Sequence, residues 1–123
     1  MYEYRVKEIT KVVDGDTIYL TADLGFYIDF RVKLRLADID TPEIFGRADE
    51  AEKEKGYKCK EFGEQLLSNH ASGGHTLMLQ TTGKADKYGR WLGDIWLIGG
   101  EYKDAGAESF SNLMKRYVRH LNS

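Results

Sequence analysis

Three short stretches of this chain carry side chains whose types and spacing could do chemistry: DGDT (residues 14–17), RLADIDTPE (35–43) and DKYGR (86–90). The second is the densest. It puts Asp38, Asp40 and Glu43 within six residues, next to Arg35 and to Pro42, the one proline of the sequence. Like charges so crowded repel unless a cation sits among them. With no histidine or cysteine nearby, the donors are all oxygens, and an oxygen-only set selects a hard cation such as calcium, magnesium or manganese. An EF-hand is excluded, because a loop counted from Asp38 puts Pro42 at the fifth position and Glu43 where glycine is required.

DGDT reads first as a turn, since Asp-Gly favours one. If the segment is extended, Asp14 and Asp16 share a face and can both address a cation. DKYGR reads as a polar hairpin loop in which glycine permits the turn. Lys87, Tyr88 and Arg90 together also make a phosphate clamp, and the planar donor fork of arginine matches two phosphate oxygens.

The elements that must position these residues follow from periodicity. A strand runs from Tyr4 to about Val13 and turns through DGDT; TIYLTADLGFYI then supplies a second strand and a turn at Ala22 to Gly25. In IDFRVKLRL (28–36), Ile28, Phe30, Val32, Leu34 and Leu36 face one side and Asp29, Arg31, Lys33 and Arg35 the other, a half-buried strand. Its basic stripe is the wet face of an amphipathic strand. Arg35 stands apart because this strand delivers the acidic cluster five residues later.

After Pro42 the pattern becomes helical from about Glu50, with Cys59, Phe62, Leu66 and His70 on one face and Gly73-Gly74 as the stop. Gly56 and Gly63 each weaken it by about 1 kcal/mol relative to alanine, which predicts fraying of the acidic first half. HTLMLQTT and WLGDIWLI are strands on either side of the GKADKYGR loop, and a Gly-Gly turn follows. Phe110, Leu113, Met114, Tyr117, Val118 and Leu121 mark a final amphipathic helix. Trp91 and Trp96 read as barrel wall, and Cys59 as buried and inert. Three strands, a helix, two strands and a helix predict an α+β, mainly β fold, a five-stranded OB-type Greek-key barrel with two helices in a single domain spanning 1–123.

Composition narrows the function. The 123 residues suffice for a core that buries about two thirds of the unfolded surface. One cysteine allows no intrachain disulfide, and three dispersed histidines offer no zinc spacing. A net charge of −2 argues against a broad basic face for duplex DNA, so an anionic substrate must be met by local charge. No window is apolar enough to span a bilayer and the N-terminus has no export pattern, which places the chain as written in the cytoplasm, with a secreted form as the alternative.

DGDT, RLADIDTPE and DKYGR, in this order and strand context, resemble the staphylococcal nuclease (thermonuclease-like) family from about Val6 to about Ile98. The resemblance implies a calcium-dependent hydrolase, an endonuclease that cuts single-stranded or locally open DNA and/or RNA and leaves 3′-phosphate ends. It implies that Asp16, Asp40 and the carbonyl of Thr41 hold Ca2+, with Asp14 as an outer or water-mediated partner. Glu43 then corresponds to the family's proposed general base, Arg35 and Arg90 to the arginines on the scissile phosphate, and Lys87 and Tyr88 to nearby substrate contacts. Two departures stand out. Asp38 replaces a small or apolar residue and adds negative charge beside the site, and the family pattern continues to base-contacting tyrosines and a further C-terminal helix, whereas this sequence stops at Ser123. Tyr117 is the candidate to replace a lost tyrosine. A monomer is expected, with dimerisation as the alternative. The competing class is a non-catalytic OB-fold module that binds single-stranded nucleic acid or a protein partner.

Overall fold

The computed structural model describes all 123 residues. Its strands are β1 (Tyr2–Asp14), β2 (Thr17–Asp23), β3 (Asp29–Leu36), β4 (Thr76–Ala85), β5 (Trp91–Ile98) and β6 (Ala107–Ser109). Helix α1 (Glu50–Ser72) lies between β3 and β4, and helix α2 (Phe110–Leu121) ends the chain. The strand order is β3-β2-β1-β4-β5-β6, antiparallel except for a parallel pairing of β3 with β5 that closes β1 to β5 into a barrel. Closure is local: Leu34, Arg35 and Leu36 pair with Trp91, Leu92 and Gly93, while the other end of β5 carries β6. This is the expected five-stranded OB-type barrel with two helices. No helix is long and apolar enough to cross a membrane.

Leu34 and Leu36, inward by alternation, are fully buried in the barrel with Ile18, Leu20, Leu79, Ile95 and Leu97, and Phe110 and Met114 of α2 and Cys59 of α1 join the same core. Cys59 is buried as expected, and burial pushes its thiol up to about 11, with Asp16 and Asp14 adding to the shift. Trp91 meets Phe30 edge-on, and the Trp96 indole N–H donates to Gln80 Oε1 at 2.9 Å, so both are wall residues. Buried His70 places Nε2 3.1 Å from the Thr76 carbonyl and 3.0 Å from that of Ile98, tying the end of α1 to β4 and β5.

Four expectations change. Ile28 and Phe30 do not join the core, being 54% and 44% exposed, because the β2–β3 hairpin runs past the barrel and carries its start into solvent. Its turn is the five-residue tip Leu24–Ile28 and not Ala22 to Gly25. Strand β4 continues through GKA to Ala85. The acidic start of α1 is a capped helix end: the Asp49 side chain accepts from the Glu52 amide at 2.8 Å, and Glu50 and Glu52 lie in the first turn, where the helix dipole favours acids.

The two α1 glycines have a packing reason. A Cβ on Gly56 would stand 2.7 Å from the Pro42 carbonyl oxygen and 2.9 Å from that of Glu43. One on Gly63 would meet Phe110 Cζ at 3.2 Å. Gly56 is therefore the point where the acidic loop lies directly against the helix, and its cost in helix propensity is the condition for that contact.

Candidate active site

Asp16 sits at the centre. It follows Gly15 in the β1–β2 turn, where the Asp16 amide donates to Asp14 Oδ1 at 3.1 Å. A Cβ on Gly15 would come within 2.7 Å of Thr41 Cγ2 and 2.9 Å of Cys59 Cβ, so the turn, the acidic loop and α1 meet with no room for a side chain. The acidic loop then clasps Asp16: the amide of Thr41 donates to Oδ2 at 3.0 Å and its hydroxyl at 3.2 Å. Pro42 favours an extended Thr41, which presents that amide.

The two arginines reach Asp16 from different elements. Arg35, on β3, is held by its own backbone surroundings, with Nη1 donating to the carbonyls of Leu36 and Ile39, both at 2.6 Å. This leaves Nη2 to pair with Asp40 and to stand 3.7 Å from Asp16 Oδ2. Arg90, in the β4–β5 loop, donates through Nη1 to Thr17 Oγ1 at 3.2 Å, and Thr17 donates on to Asp16 Oδ1 at 3.2 Å. One carboxylate thus separates two guanidinium groups, touched directly on one oxygen and through a hydroxyl on the other.

Arg90 is aimed by Asp86, whose Oδ1 accepts from the amides of Tyr88 and Arg90 at 2.9 Å and whose Oδ2 accepts from Arg90 Nε at 2.7 Å. Desolvation works to raise the Asp86 carboxyl, but these bonds outweigh it and hold the group below its usual range. The exposed Tyr88 ring has Lys87 Nζ 5.1 Å and Arg90 Cζ 5.4 Å from its centroid. Lys87 and Tyr88 are thus on the same rim as Arg90.

Asp16, Asp40, Thr41, Arg35 and Arg90 are brought together, with Asp14 behind Asp16. Glu43 is not tied in: it is exposed, its amide faces Glu52 Oε1 at 3.4 Å, and its carboxylate bonds to none of the other site residues. Asp38 does not burden the site as expected. It accepts from Ser111 Oγ at 2.8 Å and Lys115 Nζ at 2.7 Å, and Lys115, then Ser111, pull its carboxyl below the ordinary range. Its place is at the docking of the loop on α2. Tyr117 is also elsewhere, stacked on Phe62 with centroids 4.2 Å apart, where it fills the α1–α2 seam. Thr17 and Asp86 were missed by motif reading, although the Asp at the head of an Asp-x-x-Gly-Arg loop is an Asx-turn signal.

The donor set suits a hard cation. Burial first, then the hydrogen bond and charge of Asp16, pushes the Asp14 carboxyl up to about 6. The Thr41 carbonyl accepts no hydrogen bond from the chain. Nowhere do three Asp, Glu, His or Cys side chains gather as a ready-made cage. The Asp40–Arg35 pair accounts for this, since it turns Asp40 toward the guanidinium.

Comparison with known proteins identifies the family. Residues 33–116, about two thirds of the chain, match the family described as Staphylococcal nuclease homologue, a span that includes Arg35, Asp40, Thr41, Glu43, Lys87, Tyr88 and Arg90 but not Asp14 or Asp16. The chain is similar to the uncharacterized protein MJ1439 of Methanocaldococcus jannaschii, 33% identical over 114 residues and covering 78% of this chain and 50% of that protein. It is also similar to Protein ParB of Escherichia coli, 32% identical over 93 residues, covering 73% of this chain and 41% of that one. The chain therefore spans half or less of the length of these curated relatives. A closed five-stranded barrel with an acid flanked by two arginines, together with the family match, has one conclusion: the chain belongs to the staphylococcal nuclease homologue family.

Proposed function

We propose that this domain is a calcium-dependent phosphodiesterase that hydrolyses single-stranded or locally open DNA and/or RNA to 3′-phosphate ends. The observation that carries the reading is the approach of Arg35 and Arg90, from β3 and the β4–β5 loop, to either side of Asp16. Two guanidinium forks at one acidic centre suit a phosphodiester, whose non-bridging oxygens gain charge as the bond to the leaving oxygen breaks.

Asp16, Asp40 and the Thr41 carbonyl would hold the ion and Asp14 would support it from behind. The ion would supply positive charge for the phosphoryl oxygens and make a nearby water more acidic. With few carboxylates the affinity should be low, about 0.1–1 mM. Arg35, fixed by two carbonyls, needs little reorganisation to exchange Asp40 for a phosphate oxygen. Arg90, fixed by Asp86, supplies the second fork. Glu43, unpaired on the rim, can accept a proton from the attacking water.

The test is turnover on denatured DNA with calcium and then with chelator, for wild type, Arg35→Lys and Arg90→Lys. Removing one preorganised donor should slow turnover roughly 100- to 1000-fold. Near wild-type rates in both variants would remove the arginine assignment. Binding without calcium-dependent cleavage by the wild type would favour the non-catalytic module, a reading supported by the isolation of Glu43.

A further inference from the structure

The outer face of the β2–β3 hairpin leads away from the site. On β3, Arg35, Lys33 and Arg31 are alternate outward residues about 7 Å apart, opposite Thr17, Tyr19 and Thr21 of β2. Lys33 Nζ lies 5.4 Å from the Tyr19 ring centroid, and Lys11 of β1 pairs with Tyr19 from the other side. Lys11, Arg31 and Lys33 take part in none of the ion pairs, so no carboxylate neutralises these three.

The hairpin tip adds a second observation. Phe26 and Tyr27 are 95% and 106% exposed, and both have left-handed backbones, with φ of 55° and 63°. Bulky residues disfavour that region, and two in succession hold both rings out into water. The tip is nonetheless closed, with the Gly25 amide donating to Asp23 Oδ1 at 2.8 Å and the Leu24 amide to the Ile28 carbonyl at 2.9 Å. The solvent-exposed rings are a cost that a stacked ligand would offset.

We propose that this face is a track for single-stranded nucleic acid, extending the proposed nuclease site: successive phosphates run from Arg35 to Lys33 and Arg31, and bases stack on Tyr19 and on the Phe26–Tyr27 tip. Cations at a regular repeat, with one aromatic ring beside the middle one and two more at the tip, suit a polymer of phosphates and bases. An anionic lipid surface fits less well, because the residues flanking the tip are Asp23 and Asp29, neutralised by Arg5 at 3.2 Å and Lys7 at 2.6 Å and leaving no net positive charge there.

The track rests on the nuclease reading for its direction but is tested without cleavage. Fluorescence anisotropy in chelator would compare labelled oligodeoxythymidylates of three and twelve nucleotides over a salt series. The wild type should bind the dodecamer at least about tenfold more tightly than the trimer. The pair Arg31→Gln and Lys33→Gln should reduce the slope of log affinity against log salt on the dodecamer by about 1.4. Phe26→Ser with Tyr27→Ser should weaken the dodecamer roughly tenfold and leave that slope in place. All four side chains lie outside the core, so both double variants should fold.

Equal wild-type affinity for the two lengths, or double variants that bind like wild type, would overturn the track. If such a protein still cuts a dinucleotide with calcium, the track fails and the nuclease stands; length-dependent binding with no cutting reverses that outcome. Tip-dependent binding to phosphatidylserine vesicles without length dependence would assign Phe26 and Tyr27 to a lipid surface and sink the proposal.

Discussion

Replacing Gly56 by alanine sets two effects of opposite sign against each other. In an exposed helix interior the change stabilises by about 1 kcal/mol. Here the new methyl would lie 2.7 Å from the Pro42 oxygen, 2.9 Å from the Glu43 oxygen and 2.9 Å from Ile44 Cγ1. Carbon and carbonyl oxygen normally keep about 3.3 Å, so the loop must retreat by roughly 0.6 Å. Two of the three obstacles are backbone and cannot swing aside. Overpacking of this kind costs about 2–3 kcal/mol, and the retreat also begins to expose Ile44, now 4% accessible. The net expectation is a loss of about 1–2 kcal/mol, a Tm lower by roughly 4–8 °C in calorimetry. Because the same loop carries Asp40, Thr41 and Glu43, turnover should fall about tenfold or more, a shift of about 1 Å being worth a hundredfold. Gly63→Ala is the control: its nearest neighbours are side-chain ends and not backbone, Phe110 Cζ at 3.2 Å and Met114 Cε at 3.4 Å, and the small packing cost offsets the gain in helix propensity. Its Tm should stay within about 2 °C. A Gly56→Ala protein that melts higher than wild type would refute the docking argument.

The site yields further expectations. The Asp14 carboxyl rises from 3.8 to about 6 on folding, so its ionised form costs stability, beginning as pH passes the lower value and complete above the higher. Asp14→Asn keeps an acceptor for the Asp16 amide, and in chelator it should exceed wild type by about 2–3 kcal/mol at pH 8 and by nothing near pH 3; denaturant melts showing the same gap at both pH values would contradict this. Glu43→Gln should cut turnover far more than it weakens calcium binding, and a titration showing chiefly lost affinity would make Glu43 a ligand. Asp86→Ala releases Arg90 Nε and two loop amides and should reduce turnover about tenfold or more with little change in Tm; unchanged turnover would remove Asp86 from the aiming of Arg90.

Much of the fold was legible because its signals are local. Period-two alternation in β3 and the i, i+3, i+4 spacing of α2 act within one element, and tertiary packing reinforced both. Local reasoning failed where the partner is distant. Asp38 looked like an extra charge at the site because Ser111 and Lys115, its actual partners, are 73 and 77 residues away. Gly56 looked like a flaw in a helix because helix propensity does not register the backbone of Pro42 and Glu43 against it. Ile28 and Phe30 alternate correctly yet lie beyond the end of the barrel, and β6, at three residues, is too short to show a period. Within the site, the charged residues announced themselves by type. Thr17, which links Arg90 to Asp16, did not, since a hydroxyl in a strand has many ordinary reasons to be there.

The parallel seam between β3 and β5 has a consequence for how the molecule comes into being. Arg35 and Arg90 are set against each other only when Leu34 meets Trp91 and Arg35 meets Leu92, a pairing that must close over the whole of α1 and β4. Such long-range closure is slow to search for and comes after the hairpins and helices. A nascent or partly unfolded chain therefore holds its two cationic forks apart, and they can face one anion as a pair only once the barrel is shut.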